Sequence, residues 1–201
     1  MLRTPESRRL LAAAAVLAGL LCTPAFAAGN NAGVRDYLDL ARERESTGCA
    51  LSPSNSSAIG YYQMTLAALR DIGLKDDDGN WIENEWGIIS DEEFRCHRTA
   101  NDEAMKRFTE SNWAMLADEV KDRMGRSAYG VVIDAAALLA GAHFLGARGM
   151  NDFVLCGMHV TCFSEFAVLT NGGDPARIHR KLIERLKKAA GLNVSALTDG
   201  S

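Results

Sequence analysis

Apolar residues along the 201-residue chain mostly recur at spacings of three and four, and stretches that alternate apolar with polar are scarce. That periodicity predicts a mainly α domain, with helices over about 32–46, 64–72, 90–121, 127–146 and 174–190. The stretch "SAYGVVIDAAALLAGAHFLG" (127–146) is apolar almost all round, as a central buried helix is, with Ser127 as its N-cap and Gly146 as its stop. Two segments read as loops: the Ser/Asn-rich 52–60, and "KDDDGNWIENEWG" (75–87), which suits a short hairpin around Asp78-Gly79. Its acids read as solvated surface, since their spacing is not that of an EF-hand. The tail after Gly191 is expected to fray. No repeat, proline-rich linker or low-complexity block divides 28–201, so one domain is predicted.

The first predicted helix contains an acid in an unusual place. In "VRDYLDLARERES" the apolar stripe is Val34, Tyr37, Leu38 and Ala41. At about 100° per residue Glu45 falls inside that stripe, while Glu43 points to the opposite side. Burial and the negative end of a helix both oppose ionisation, so both are expected to raise the pKa of Glu45, and a carboxylic acid kept protonated near neutral pH is what a general acid requires. The competing reading is a helix-end acid salt-bridged to Arg42 or Arg44.

Composition narrows the setting. Arg3, Arg8 and Arg9 precede an uncharged stretch from Leu10 to Leu21, and Ala25-Phe26-Ala27 supplies a small-x-small pattern. Residues 1–27 therefore read as a cleaved export signal, too short to span a bilayer, which implies a periplasmic or secreted protein with no stable membrane insertion. The two adjacent arginines leave the general and the twin-arginine routes open, and Cys22 after Leu21 is a poor lipidation position. Of 22 basic and 26 acidic residues, cleavage removes three and one, leaving a formal charge of −6. That charge argues against nucleic acid as a partner. Cys49, Cys96, Cys156 and Cys162 remain, and an even count in an exported chain argues for disulfides. The short "CGMHVTC" loop favours Cys156–Cys162, which leaves Cys49–Cys96. A metal site using His97 or His159 beside these cysteines matches no zinc spacing, so neither metal nor cofactor is expected.

The residues after Glu45 add a resemblance. "ES-x-G", a polar loop and then "G-x-x-Q-M-T" place Glu45-Ser46, Gly60, Gln63, Met64 and Thr65, with Gln63 eighteen positions after Glu45. This is similar to the signature of the lytic transglycosylases of the lysozyme-like superfamily, which carry Glu-Ser at a helix end and a Gly-Leu-x-Gln-[Met/Ile] turn. A degenerate third element, "LLAGAHFLGARGMNDF" (138–153), stands where that family has a small-residue-rich helix end of the Ala-Tyr-Asn-Ala-Gly type. The resemblance covers about residues 34–153.

It implies a disulfide-stabilised lysozyme-like domain in which Glu45 is the catalytic acid and then base on peptidoglycan glycan strands. Ser46, Tyr61, Tyr62, Gln63, Met64, His143 and Phe144 would line the sugar groove. One of Tyr61 and Tyr62 would pack in the core and the other on sugar. His143 and Phe144 depart from the family's tyrosine and asparagine, and Tyr61 from its leucine. No second carboxylate is evident, since Asp134 reads as a hydrogen-bonded core residue and Trp113 as core. The family's route needs none: the N-acetyl group assists departure and the sugar's own 6-hydroxyl closes a 1,6-anhydro ring. A hydrolytic muramidase, or a non-catalytic wall-binding or secretion-assembly protein, is the alternative, and an envelope or secretion complex is a possible setting. His97 and His179, set among charges, read as solvated.

Overall fold

The computed structural model describes residues 27–45 and 58–199, with side chains from residue 32. The expected signal segment short of Ala27, Ser46 and Cys49 lie outside the described residues. Among those described, nine α-helices, one 3-10 turn (Val160–Cys162), one two-stranded hairpin and two isolated bridges account for the secondary structure, and no helix is long and apolar enough to cross a membrane.

Helix α1 (Ala27–Glu45) buries the predicted stripe, with Val34, Tyr37 and Leu38 all in the core. Helix α2 (Leu66–Asp71) is started by Thr65, whose hydroxyl accepts from the Ala68 amide. The acidic 75–87 loop has an internal cause. Asp76 accepts from the Asp78 and Asn80 amides, an Asx-type turn, and a single antiparallel bridge pairs Lys75 with Trp81. Lys75 and the Trp81 indole both meet Asp91, at 2.5 and 2.8 Å, which ties the loop to the next helix.

The single helix expected over 90–121 is three: α3 (Asp91–Cys96), α4 (Arg98–Met115) and α5 (Asp118–Lys121). Periodicity persists across breaks that side chains make. Ser90 caps α3, and Glu93 returns its carboxylate to the Ile89 amide. His97 ends α3 and offers its Nδ1 to the Ala100 amide, so the ring begins α4 and is not merely solvated. Asn101, fully buried, then donates a second hydrogen bond to the Phe94 and His97 carbonyls, which also accept from the His97 and Asn101 amides. At the second break Asn151 accepts from the Ala117 amide and donates to the Met115 carbonyl.

Residues 127–132, expected to be helical, form the hairpin of β1 (Ser127–Ala128) and β2 (Val131–Val132). Tyr129 and Gly130 both have positive φ, at 53° and 70°, as a two-residue type I′ turn requires. The central helix α6 (Ala135–Leu155) therefore starts later, at Asp134, whose carboxylate caps Ala137 and also accepts from the Gly191 amide. Asp134 is hydrogen-bonded as expected, but as a cap rather than inside a helix. Gly146 (φ 74°) breaks α6 without ending it.

Beyond α6, a disulfide joins Cys156 to Cys162 with Cα atoms 5.7 Å apart. Cys96 is not a free thiol either. Two helices follow, α7 (Glu165–Thr170) and α8 (Pro175–Ala189), the second capped by Asp174 ahead of Pro175 and packed on α6 through Ile178, Leu182 and Leu186. The tail expected to fray instead ends in α9 (Ser195–Thr198), where Val194 and Leu197 are buried next to α1 and α4.

Candidate functional site

A cleft of about 400 Å³ opens where six helices and one turn meet. Glu45 enters it from the last residue of α1, Phe108 from α4, His143 and Phe144 from α6 just before the Gly146 break, Thr170 and Asn171 from the end of α7, and Arg185 from α8. Gln63, Met64, Thr65 and Ala68 form the facing wall.

That wall is a locked turn. Ile59 and Met64 exchange both backbone hydrogen bonds, at 2.9 and 2.8 Å, which closes residues 60–63 into a loop. Gln63 sits at φ 49° and donates through Nε2 to the Gly60 carbonyl. Gly60 has φ 78°, and a Cβ there would lie 2.0 Å from Oδ1 of Asn101, so conformation and space both require glycine. The same Asn101 oxygen accepts from the Tyr61 amide at 2.8 Å. Asn101 thus fastens the turn to the α3–α4 break, a role that its sequence neighbourhood gives no sign of.

Glu45 is the acid of the cleft, but its surroundings differ from the apolar ones expected. Its Oε1 lies 2.5 Å from Nη1 of Arg185, with both side chains mostly buried. The salt bridge weighed against catalysis exists, yet its partner comes from α8, not from Arg42 or Arg44. The Arg185 guanidinium also lies over the Phe144 ring, 4.6 Å from its centroid. Arg44 stands nearby, its pKa lowered by burial and by the charge of Arg185.

His143 Nε2 is 3.9 Å from the same Glu45 oxygen, beyond hydrogen-bond range. Burial above all, and then Arg185, hold its pKa below the ordinary histidine value against the pull of Glu45. The ring stands edge-on to Phe108, and its Nδ1 is buried with no hydrogen-bond partner among the described residues. Behind it a cavity of about 20 Å³ lies between Tyr37, Ala41, Arg44, Ala140 and Arg185, room for one water.

Glu45, Gln63, Met64, His143 and Phe144 are therefore brought together as expected, while the two tyrosines are not. Tyr62 is fully buried with its hydroxyl donating to Asp102 at 2.6 Å; burial and that carboxylate push its pKa up, and it is a core residue rather than a sugar contact. Tyr61 packs half-buried against the core and is not among the residues lining the cleft. Arg185 is the residue that sequence reasoning missed. It falls seven after Ile178 and three after Leu182, on the buried face of α8, the same signal that singled out Glu45.

Among the described residues lining the cleft, Glu45 is the one carboxylate, and no three His, Cys, Asp or Glu side chains converge on a possible metal position. The arrangement can deliver or accept one proton in a groove with an aromatic side and a cation. No family model, curated protein or solved structure matches the chain.

Proposed function

We propose that the protein is an exported peptidoglycan lytic transglycosylase, with a lysozyme-like domain and Glu45 as its general acid and base. The observation that carries this reading is that Glu45 and the Gly60–Thr65 turn, the two halves of the motif, face each other across one cleft, with His143 and Phe144 beside them. Glu45 as the one carboxylate among the described lining residues suits a reaction that needs only one. Glu45 gives its proton to the glycosidic oxygen as the bond from C1 of the muramoyl sugar breaks, with the N-acetyl group assisting departure. The 6-hydroxyl oxygen then bonds to C1 and its proton returns to Glu45, leaving a 1,6-anhydro end and consuming no water. Neutral His143 adds no competing positive charge beside the acid.

The Arg185 pair favours a second reading, since a carboxylate held by a guanidinium also suits a non-catalytic wall-binding protein. Mass spectrometry of peptidoglycan fragments after incubation with the protein separates the possibilities. Anhydro ends are expected; reducing ends would mean a hydrolytic muramidase, and intact strands the binding protein.

A further inference from the structure

Arg185 has more bonding capacity than Glu45 uses. A guanidinium carries five N–H donors in a planar fork suited to a carboxylate's two oxygens. Among the described residues its charged end has one ion-pair contact, Nη1 to Glu45, and one ring contact, the Phe144 face. Its remaining nitrogens are not buried orphans, unlike Nε of Arg44, and the side chain lines the cleft. Among the described residues, the titratable groups around the pair are Tyr37 and Arg44 on α1 and His143 on α6, with Glu184 on α8 beside Arg44. None replaces Arg185 as a direct partner of Glu45.

We propose that Arg185 is the receptor for a carboxylate of the substrate, and that taking up this carboxylate releases Glu45 from its ion pair to carry the proton that the reaction needs. The idea rests on the transglycosylase reading and supplies what that reading lacks, a route from a paired carboxylate to a protonated acid. The exchange keeps Arg185 paired throughout, with one carboxylate replacing another, so the guanidinium is never left alone. Glu45, enclosed by the ligand and facing neutral His143, Phe108 and Met64, then takes a proton from solvent. Linkage makes the effect reciprocal: an acidic ligand promotes protonation of Glu45, and protonation of Glu45 tightens the acidic ligand. Muramoyl strands offer two sources of the carboxylate, the lactyl group where the peptide has been removed and the stem peptide where it has not.

The test is calorimetric binding near pH 6.5 in buffers of differing ionisation heat. The ligands are peptide-free strands with free lactyl groups, stem-bearing strands, strands with amidated carboxylates and neutral N-acetylglucosamine oligomers. Acidic ligands should bind about ten- to a hundredfold tighter than neutral ones, the range of a charge-assisted hydrogen bond, with net proton uptake that neutral ligands lack. The tighter of the two acidic strands identifies the source. Glu45→Gln should bind acidic strands tighter still and without proton uptake, which a purely structural arginine would not produce. Arg185→Gln should erase the preference and Arg185→Lys should keep part of it, with melting curves confirming that each variant is folded. Equal affinity for acidic and neutral ligands, or binding without uptake, overturns the proposal even if anhydro products are formed. Acid-selective binding with uptake but no cleavage upholds the receptor and overturns the transglycosylase. Failure to bind any of the four overturns both.

Discussion

Two histidine-containing clusters of this molecule differ in what their polar atoms have left to do. At the disulfide loop, His159 Nδ1 meets the Tyr129 hydroxyl at 2.5 Å, His179 Nε2 meets the Met158 carbonyl at 2.9 Å, and Phe153 and Phe163 stack at 5.0 Å with His179 against both. His179 is thus held by the chain rather than solvated. At the cleft, among the described residues, His143 keeps Nδ1 unmatched and stands short of bonding to Glu45, while Arg185 commits one ion-pair contact of its fork. Both clusters are rich in aromatic and basic groups, yet the first satisfies itself and the second faces open space. Residue type alone did not separate them; unspent hydrogen-bonding capacity beside a cleft does.

Glu45→Gln should widen the difference most. Turnover on purified peptidoglycan is expected to fall about 10²- to 10⁴-fold, the range for losing acid catalysis. Removing an unpaired buried acid would leave stability unchanged or raise it. The Arg185 pair reverses that sign: a mostly buried guanidinium loses its anion, at a cost of roughly 1 kcal/mol where cleft solvent can replace it. Near wild-type turnover, read beside a melting curve, would move the wall-binding reading to the front.

Asn101→Ala should damage the cleft through its frame. It strands the Tyr61 amide and removes one of the two bonds made by each of the Phe94 and His97 carbonyls, which keep their backbone donors, for a loss of about 1–3 kcal/mol in denaturant unfolding. Turnover per folded molecule should fall as well, because Gln63 rides on the freed turn. A stability loss with unchanged turnover would show that the turn holds its shape without Asn101.

Replacing Cys156 and Cys162 together by serine gives the opposite pattern. The bridge spans a sequence separation of only 6, so chain-entropy reasoning assigns it about 2 kcal/mol. The Tyr129 cluster should loosen while turnover per folded molecule stays the same. A fall in turnover would mean that the two clusters are coupled.

Much of this was legible from periodicity, and what was not has physical reasons. The α1 stripe placed Val34, Tyr37 and Leu38 in the core and aimed Glu45 correctly, because a 3.6-residue repeat fixes direction along an unbroken helix. The same repeat ran through His97 and Leu116, where a ring nitrogen and Asn151 capture backbone groups and end the helix. The hairpin at 127–132 was hidden because Tyr-Gly is an uncommon filling for a turn usually marked by Asn-Gly. Arg185 was passed over because its long apolar stem packs on the buried face while its name reads as surface charge. Asn101 could not be found locally, since its partner Tyr61 is forty positions away.

The smallest effect concerns His143 and pH. Burial, aided by Arg185 and opposed by Glu45, lowers its folded pKa, whereas the unfolded chain leaves it near the ordinary value of about 6.5. The unfolded state therefore binds more protons as pH falls through that value, so stability is fully present above it and declines below it. The slope from one such group cannot exceed about 1.4 kcal/mol per pH unit. Denaturant unfolding at pH 7.5 and 5.5 should show this loss in the native protein. His143→Phe preserves a planar ring against Phe108 but cannot titrate, so its stability should fall less over the same interval. If both proteins lose equal stability, His143 is not the buried neutral base that the cleft geometry makes it.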